Sequence, residues 1–229
     1  MQHSIKSLLG YKIGARDGEI GHVKDFYFED TSWAIRYLVV ETGNWFMEKK
    51  KLIAPQALHS PDWQNRIFPV DLSMEQVKNS PDIDTEKPVS SQQEIELYGH
   101  YAWQRHGGSG FYAGASEAAM DQPPIIDEEV VIPDPDQEER LNDLHLQSTH
   151  AVSGYNIRAT DGDIGHLADF TMNDMNWEIE YLVIETHHGI GGKKVLLKVE
   201  HINEIRWEDS VVIVDITIGS VMSLMLFNS

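Results

Sequence analysis

Two histidines at matched positions are the residues in this sequence best suited to chemistry. His22 and His166 each follow the same Asp-Gly-x-Ile-Gly pattern, 144 residues apart. An imidazole can bind a metal ion or move a proton near neutral pH. One imidazole per repeat supplies too few ligands for a metal centre, so we expect both to be hydrogen-bonded structural histidines on a core-facing strand.

The other chemistry-like patterns also favour a structural interpretation. The histidine pair at 187–188 corresponds to residues 43–44 of the first copy, which favours an exposed hairpin loop. The glycine-rich run at 189–194 lacks the spacing of a phosphate loop, and the carboxylates at 161–163 lack the continuation of a Ca²⁺ loop. The sequence therefore predicts no catalytic residue, no metal ligand and no cofactor, and we expect that the protein is not an enzyme.

Composition excludes several classes of partner. The 229 residues carry 18 basic and 37 acidic side chains, a formal charge of −19 that opposes binding to nucleic acid. Because the sequence contains no apolar run of about 18 residues, no integral membrane segment is predicted and any membrane contact is expected to be peripheral. The absence of cysteine excludes disulfides and thiolate sites and is typical of cytoplasmic proteins, which is the predicted location.

The chain repeats itself. Shifting the sequence by 144 positions aligns residues 10–71 with 154–215 without a gap, and about 25 of the 62 pairs are identical. The repeats predict two β domains, at 1–81 and 151–229. Residues 82–150 between them hold three basic and fifteen acidic side chains, so we expect a helical and aromatic stretch followed by an acidic, Pro-rich linker.

Each repeat is typical of short antiparallel strands joined by tight turns. Asp17-Gly18 and Asp161-Gly162 predict type I′ hairpins, because such turns need positive φ angles. Roughly five or six strands in about 65 residues favour a small closed barrel. The predicted fold class is therefore all-β, with two small antiparallel barrels related by internal duplication. A short helix capped by Ser73 is expected after the first barrel, and no such helix is expected after the second.

The order of these motifs resembles the PRC-barrel family. The first copy reads Gly10-x-x-Ile13-Gly14-x-x-Asp17-Gly18-x-Ile20-Gly21-x-Val23-x-Asp25-Phe26, then Trp33-x-Ile35-Arg36-Tyr37-Leu38-Val39-Val40, then Leu52-Ile53-Ala54-Pro55. The tail from Val70 to Pro81, with residues 98–103, resembles bacterial stand-alone tandem members. The family is named for the cytoplasmic domain of the photosynthetic reaction-centre H subunit. The resemblance implies a small PRC-type β-barrel used for docking or assembly.

The predicted function is a non-catalytic protein-interaction or assembly module. Its partner would be another protein or a second copy of the chain, and Tyr98, Tyr101 and Trp103 are the predicted docking residues. Two alternative hypotheses remain open. One is a peripheral electron-transport or reaction-centre-like subunit, and the other is a ligand-binding protein or enzyme with its site between the barrels.

Matched acid–base pairs are predicted to fix the register of one hairpin in each repeat. Counting across a hairpin centred near residue 45 places Glu41 opposite Lys49. The same count places Glu185 opposite Lys193. We expect a cross-strand ion pair at both places, because opposite charges that face each other across two strands attract.

Two further matched residues are predicted to lie between the barrels. A unit of about 65 residues buries too little surface to be more than marginally stable alone, so we expect the barrels to pack together. Trp63 and Trp207, which are equivalent under the 144-residue shift, are the side chains expected to supply the additional burial.

Overall fold

A computed structural model describes residues 2–42, 49–81, 100–101, 146–186 and 193–224 of the chain. The described residues include thirteen strands and four short α-helices, which confirms the all-β class. The strands are β1 (Gln2–Ser4), β2 (Lys12–Ala15), β3 (Gly18–Glu29), β4 (Ile35–Thr42), β5 (Lys49–Ile53), β6 (Ile67–Pro69), β7 (Leu146–Ser148), β8 (Asn156–Ala159), β9 (Gly162–Asn173), β10 (Glu178–Thr186), β11 (Lys194–Lys198), β12 (Ile202–Arg206) and β13 (Val211–Val214). The helices are α1 (Ile5–Leu8), α2 (Met74–Asn79), α3 (Thr149–Val152) and α4 (Ile218–Met222).

Most elements occur twice at the spacing of the sequence repeat. We call β2–β6 with α2 the first half and β8–β13 with α4 the second half. Each half is preceded by a strand and a helix: residues 2–9 are the first arm, and residues 146–153 are the second arm. Unusual backbone angles match as well, because Trp33 and Trp177 have φ of 60° and 58°, in the left-handed region.

Each half forms one sheet that includes a strand from the arm of the other half. The first sheet has the order β5-β4-β3-β2-β6 with β7 on β3, and the second has the order β11-β10-β9-β8-β13-β12 with β1 on β9. The expectation of purely antiparallel strands is wrong at two places, since β2–β6 and β8–β13 are parallel. In each parallel pair, a long segment of chain connects the two strands, so that the later strand can run in the same direction as the earlier one. Among the described strands no pairing closes either sheet, so a closed barrel is not found.

The two halves share one apolar core. Buried apolar side chains from both halves form a continuous cluster, and Phe28 meets Phe170 with ring centroids 5.4 Å apart. The strands that carry these residues, β3 and β9, are each twelve residues long and bend at register shifts. The two halves therefore pack together, as we expected from the small size of each repeat.

Both halves end in a capped helix, which corrects the prediction for the second half. Ser73 accepts a hydrogen bond from the backbone of Gln76, whose side chain accepts one from the backbone N–H of Ser73, so α2 has the expected capping box. Thr217 caps α4 by accepting from the backbone of Ser220. Gly219 weakens the helical pattern of this segment, which is why the sequence does not predict α4. In the described ranges, no helix has the length and apolar character needed to cross a bilayer.

The predicted hairpins form with a different turn. Ala15 pairs with Gly18, and Ala159 pairs with Gly162, so the loop residues are Arg16-Asp17 in the first half and the equivalent pair in the second. Neither Arg16 nor Asp17 has a positive φ, which excludes type I′. Gly18 follows the loop at φ 151°. The glycine is therefore needed where the strand resumes and not within the turn.

Candidate assembly interface between the halves

The arms cross over between the halves. The first arm adds β1 to β9 of the second half, with Gln2 opposite Asn173 and Ser4 opposite Thr171. The second arm adds β7 to β3 of the first half in the same register, with Ser148 opposite Tyr27. Each half therefore holds a strand that belongs to the other half. We call this reciprocal contact the seam.

Asp169 receives the first arm. Its carboxylate accepts hydrogen bonds from the hydroxyl of Ser4 at 2.5 Å and from the backbone N–H of Lys6 at 3.1 Å. It also accepts from the backbone N–H of Phe170 at 2.8 Å. Ser4 is the N-cap of α1 and accepts from the backbone N–H of Ser7, so its hydroxyl both caps the helix and donates to the carboxylate.

Asp25 receives the second arm at the equivalent position. Its carboxylate accepts from the hydroxyls of Ser148 and Thr149 at 2.5 and 2.7 Å, and from the backbone N–H of His150 at 3.1 Å. Asp25 and Asp169 are each only 7% exposed. A buried carboxylate is costly unless donors surround it. The arms supply those donors, so docking of the arms and burial of the carboxylates stabilise each other.

A pair of equivalent residues marks the centre of the seam. Ala34 bridges Glu178 across the two halves in antiparallel fashion. Two backbone hydrogen bonds flank this bridge: Ile35 N–H donates to the carbonyl of Trp177 at 2.7 Å, and Ile179 N–H donates to the carbonyl of Trp33 at 2.8 Å. The donors and acceptors are related by the 144-residue shift. The contact is therefore two-fold symmetric in its backbone.

The two tryptophans at this centre pack their rings against the first half, where Trp33 is buried and Trp177 is partly buried. Trp33 stacks on Phe28 with centroids 5.5 Å apart. Trp177 reaches across the seam to Phe68, at 5.9 Å. A positive φ is unusual for tryptophan and carries strain, which the packing of both rings against the first half offsets.

One matched position differs between the arms. His3 in the first arm stacks on Trp63 with centroids 3.7 Å apart, and its Nε2 lies 3.2 Å from the Oδ2 of Asp174. Burial raises the pKa of Asp174, but hydrogen bonds and neighbouring positive charge lower it more, so the pKa lies below its usual value. The second arm has Gln147 instead, whose amide donates to Asp30 at 2.9 Å. Both arms therefore place a polar side chain against a carboxylate at the same point.

Three small grooves lie along the seam. Two of them, with volumes of about 360 and 300 Å³, flank the Ala34–Glu178 bridge at equivalent places. The third, of about 280 Å³, lies between α1 and α3 and includes Lys6, His150 and Asp169. Both carboxylate oxygens of Asp169 in this groove accept hydrogen bonds from the first arm. The described residues contain no group of three side chains suited to hold a metal ion.

The turn aspartates tie each terminal helix to its sheet. Asp17 accepts a hydrogen bond from the backbone N–H of Met74 at 2.7 Å, at the start of α2. Asp161 accepts from the backbone N–H of Ile218 at 2.8 Å, at the start of α4. Gly18 and Gly162 occupy the following strand position in each half. The two aspartates therefore link each hairpin to the following helix, and the two glycines begin the strand after each hairpin loop.

His22 and His166 lie on the outer face of their strands and not toward the core. His22 is exposed, and His166 has 36% of its side chain exposed, with Nε2 3.8 Å from the carboxylate of Glu185. The predicted core-facing position is wrong because a register shift after these residues changes the strand face that points inward.

The predicted acid–base register is wrong by one residue in both hairpins. Glu41 lies opposite Lys50, and Lys49 lies opposite Thr42. Glu185 likewise lies opposite Lys194, and Lys193 precedes that strand. Residues 43–48 between the paired ends are even in number, so the hairpin is centred between two residues and not on residue 45. Glu41 also has its Oε2 3.0 Å from the Nζ of Lys24 on β3.

Tyr101, one of the predicted docking residues, is buried in the folded chain. Its side chain is 6% exposed. Burial raises the pKa of Tyr101 to about 12, while a hydrogen bond with Ser80 acts in the opposite direction. Its neighbour His100 contacts the backbone carbonyl of Gln76 at 2.7 Å. Tyr98 and Trp103, with the acidic linker, lie outside the described residues.

The tryptophans predicted to fill the interface stay partly exposed. Trp63 is 36% exposed and Trp207 is 41% exposed. Only Trp63 reaches the seam, through His3, whereas Trp207 packs edge-on against Tyr155 of its own half. Trp33 and Trp177 take the central place instead.

The sequence reasoning missed the two buried aspartates as interface residues. Asp25 and Asp169 are each followed by phenylalanine in a mostly apolar stretch of strand. A buried carboxylate needs hydrogen-bond donors, so an aspartate inside a largely apolar strand indicates a polar partner elsewhere in the fold. The donors themselves lie more than a hundred residues away, in arms that share little sequence beyond Ser4 and Ser148.

Comparison of the chain with protein-family models and with curated proteins gives no match.

Proposed function

We propose that this protein is a non-catalytic assembly module built from two PRC-barrel-like units related by internal duplication. The motif order, the recurrence of elements at the repeat spacing and the matched backbone angles support this proposal. In this proposal the units bind protein segments and do no chemistry of their own.

The main support for this proposal is that each arm pairs with the sheet of the other half. Each half already binds a short strand followed by a capped helix that belongs to a distant part of the chain. Added strands contribute backbone hydrogen bonds, and the buried carboxylate selects a hydroxyl residue at the helix N-cap. The unit therefore has what a docking module requires: a sheet position and one selective polar contact.

Binding in trans tests this function directly. A chain lacking residues 2–9 leaves the receptor around Asp169 open, and a peptide with the sequence of residues 2–9 is titrated into it by calorimetry. We expect saturable binding and a rise in Tm. A peptide with Ser4→Ala should bind about 10- to 100-fold more weakly, because a hydrogen bond to a charged group contributes about 1.5–3 kcal/mol.

Asp169→Asn in the receptor removes the other partner of the same hydrogen bond and should weaken binding to a similar degree. Asp71→Asn, on an exposed carboxylate that pairs with Arg16, should leave the affinity unchanged. If the shortened chain has the circular dichroism of the full chain and shows no saturable heat, the docking function is excluded.

A further inference from the structure

The seam has the symmetry of a homodimer interface. Ser4 contacts Asp169, and the equivalent Ser148 contacts Asp25. Ala34 faces its own equivalent, Glu178. Contacts that are repeated in both directions define an isologous interface, the type found in two-fold dimers. Here the two partners are halves of one chain.

We propose that the chain associates with a second copy by exchanging halves. In such a dimer the first half of each copy forms the seam with the second half of the other. Both seams then keep the arm pairing, the two carboxylate clusters and the central bridge, so no new surface is needed. The inference takes from the proposed function only that the seam is a docking interface.

The balance between the two forms depends on the connection between the halves. A dimer contains the same seam contacts as two separate chains, so contact energies cancel between them. The remaining difference is the effective concentration of one half near the other within a single chain, which is about millimolar for linked modules. With a dissociation constant of about 1 mM, roughly 2% of chains are dimeric at 10 μM and about a third at 0.5 mM.

The test uses cysteines, since the natural chain has none. Ala34 and Glu178 form a pair flanked by hydrogen bonds, the closely spaced arrangement in which a disulfide fits. The full chain with Ala34→Cys and Glu178→Cys is refolded at 10 μM and at 0.5 mM, oxidised and run on a non-reducing denaturing gel. A closed single chain gives a monomer band, and exchanged halves give a covalent dimer.

The expected result is a dimer band that increases about 15-fold between the two concentrations. The control carries Glu185→Cys and Lys194→Cys, which face each other within the second half. That pair should give only monomer at both concentrations. A monomer band alone from the seam pair at 0.5 mM, or equal dimer bands from both pairs, overturns the proposal.

A second measurement avoids substitutions near the seam. Wild-type chains with and without an affinity tag are refolded together at 0.5 mM, diluted and captured through the tag. We expect the untagged chain to be retained when the two chains are refolded together, and not to be retained when each is refolded separately at 10 μM and mixed after dilution. Loss of the untagged chain from the wild-type mixture overturns the exchange, whereas the peptide titration above stays independent of this outcome.

Discussion

The seam depends on single residues that receive many hydrogen bonds. Asp25 accepts from four donors, including the backbone N–H of Phe26, and Asp169 accepts from three. Because both carboxylates are buried, the loss of charge weakens every one of these bonds. These two residues therefore contribute more to the interface than the partly exposed tryptophans do.

Asp25→Asn should lower the free energy of unfolding by about 1.5–3 kcal/mol, and Asp169→Asn by somewhat less because it has fewer donors. Urea unfolding at neutral pH measures both changes. Asp71→Asn is the control, and its exposed ion pair should contribute less than about 1 kcal/mol. Equal effects of Asp25→Asn and Asp71→Asn would show that the buried cluster does not hold the seam.

Two glycines should respond to alanine in opposite directions. A Cβ on Gly165 would lie 2.0 Å from the carbonyl oxygen of Glu185, so Gly165→Ala must push β9 and β10 apart and should cost about 2 kcal/mol or more. A Cβ on Gly219 in α4 would meet the hydroxyl of Thr217 at 3.9 Å, an ordinary van der Waals contact, and Gly219→Ala should stabilise the chain by about 0.5–1 kcal/mol through helix propensity. Thermal unfolding of both variants checks this; a stabilising Gly165→Ala would contradict the strand spacing.

At the scale of elements, residues 100–101 dock on the first half beside α2 and β5. Tyr101 and Lys51 are both buried there, and Lys51 donates a hydrogen bond to the backbone carbonyl of Ser80 at the end of α2. The second half has Val195 in place of Lys51. This contact therefore distinguishes the two halves, which otherwise have matched elements.

Docking of Tyr101 predicts a loss of stability at alkaline pH. The pKa of Tyr101 is raised from about 10 to about 12 in the folded chain, so the unfolded state loses this proton first as the pH rises. The free energy of unfolding is therefore unaffected by ionisation of Tyr101 below pH 10. Between pH 10 and pH 12 it should fall by up to about 3 kcal/mol. Urea unfolding of wild type and Tyr101→Phe across this range isolates the effect. Parallel curves for the two proteins would contradict it.

At the scale of the molecule, the exchanged arms make one folding unit from two halves. The shared core, the crossed arms and the central bridge all link residues of opposite halves. A half without its partner loses an arm strand and exposes a buried carboxylate. The seam therefore couples the stability of one half to that of the other.

We expect a single cooperative unfolding transition for the full chain, seen at the same temperature by calorimetry, tryptophan fluorescence and circular dichroism. Asp25→Ala combined with Asp169→Ala should separate it into two transitions, whereas Asp71→Asn combined with Asp215→Asn should not. Residues 1–81 alone should melt at a lower temperature than the full chain. If this segment melts as cooperatively and at as high a temperature, the halves are independent.

The local patterns of the sequence were sufficient to predict most strands of each repeat, the positions of the two Asp-Gly hairpins and helix α2, but not the arm strands β1 and β7 or strand β12. These patterns act over a few residues: the Ser73–Gln76 cap forms as expected, and the Asp-Gly pairs mark the hairpins although the glycine lies just after the turn. The sequence repeat at a spacing of 144 residues likewise predicted that most elements would occur twice, but not that α4 would match α2. The hairpin register was not predictable, since it depends on loop length, and a one-residue change moves every facing pair.

The crossing of the arms followed from tertiary structure alone. Ser4 and Asp169 are separated by 165 positions, and Ser148 and Asp25 by 123. The residue types of the arms and of the two carboxylates do not by themselves distinguish docking of an arm on its own half from docking on the other half. Chain geometry around the two-fold centre at Ala34 and Glu178 selects the second arrangement, and no pattern of neighbouring residues encodes that geometry.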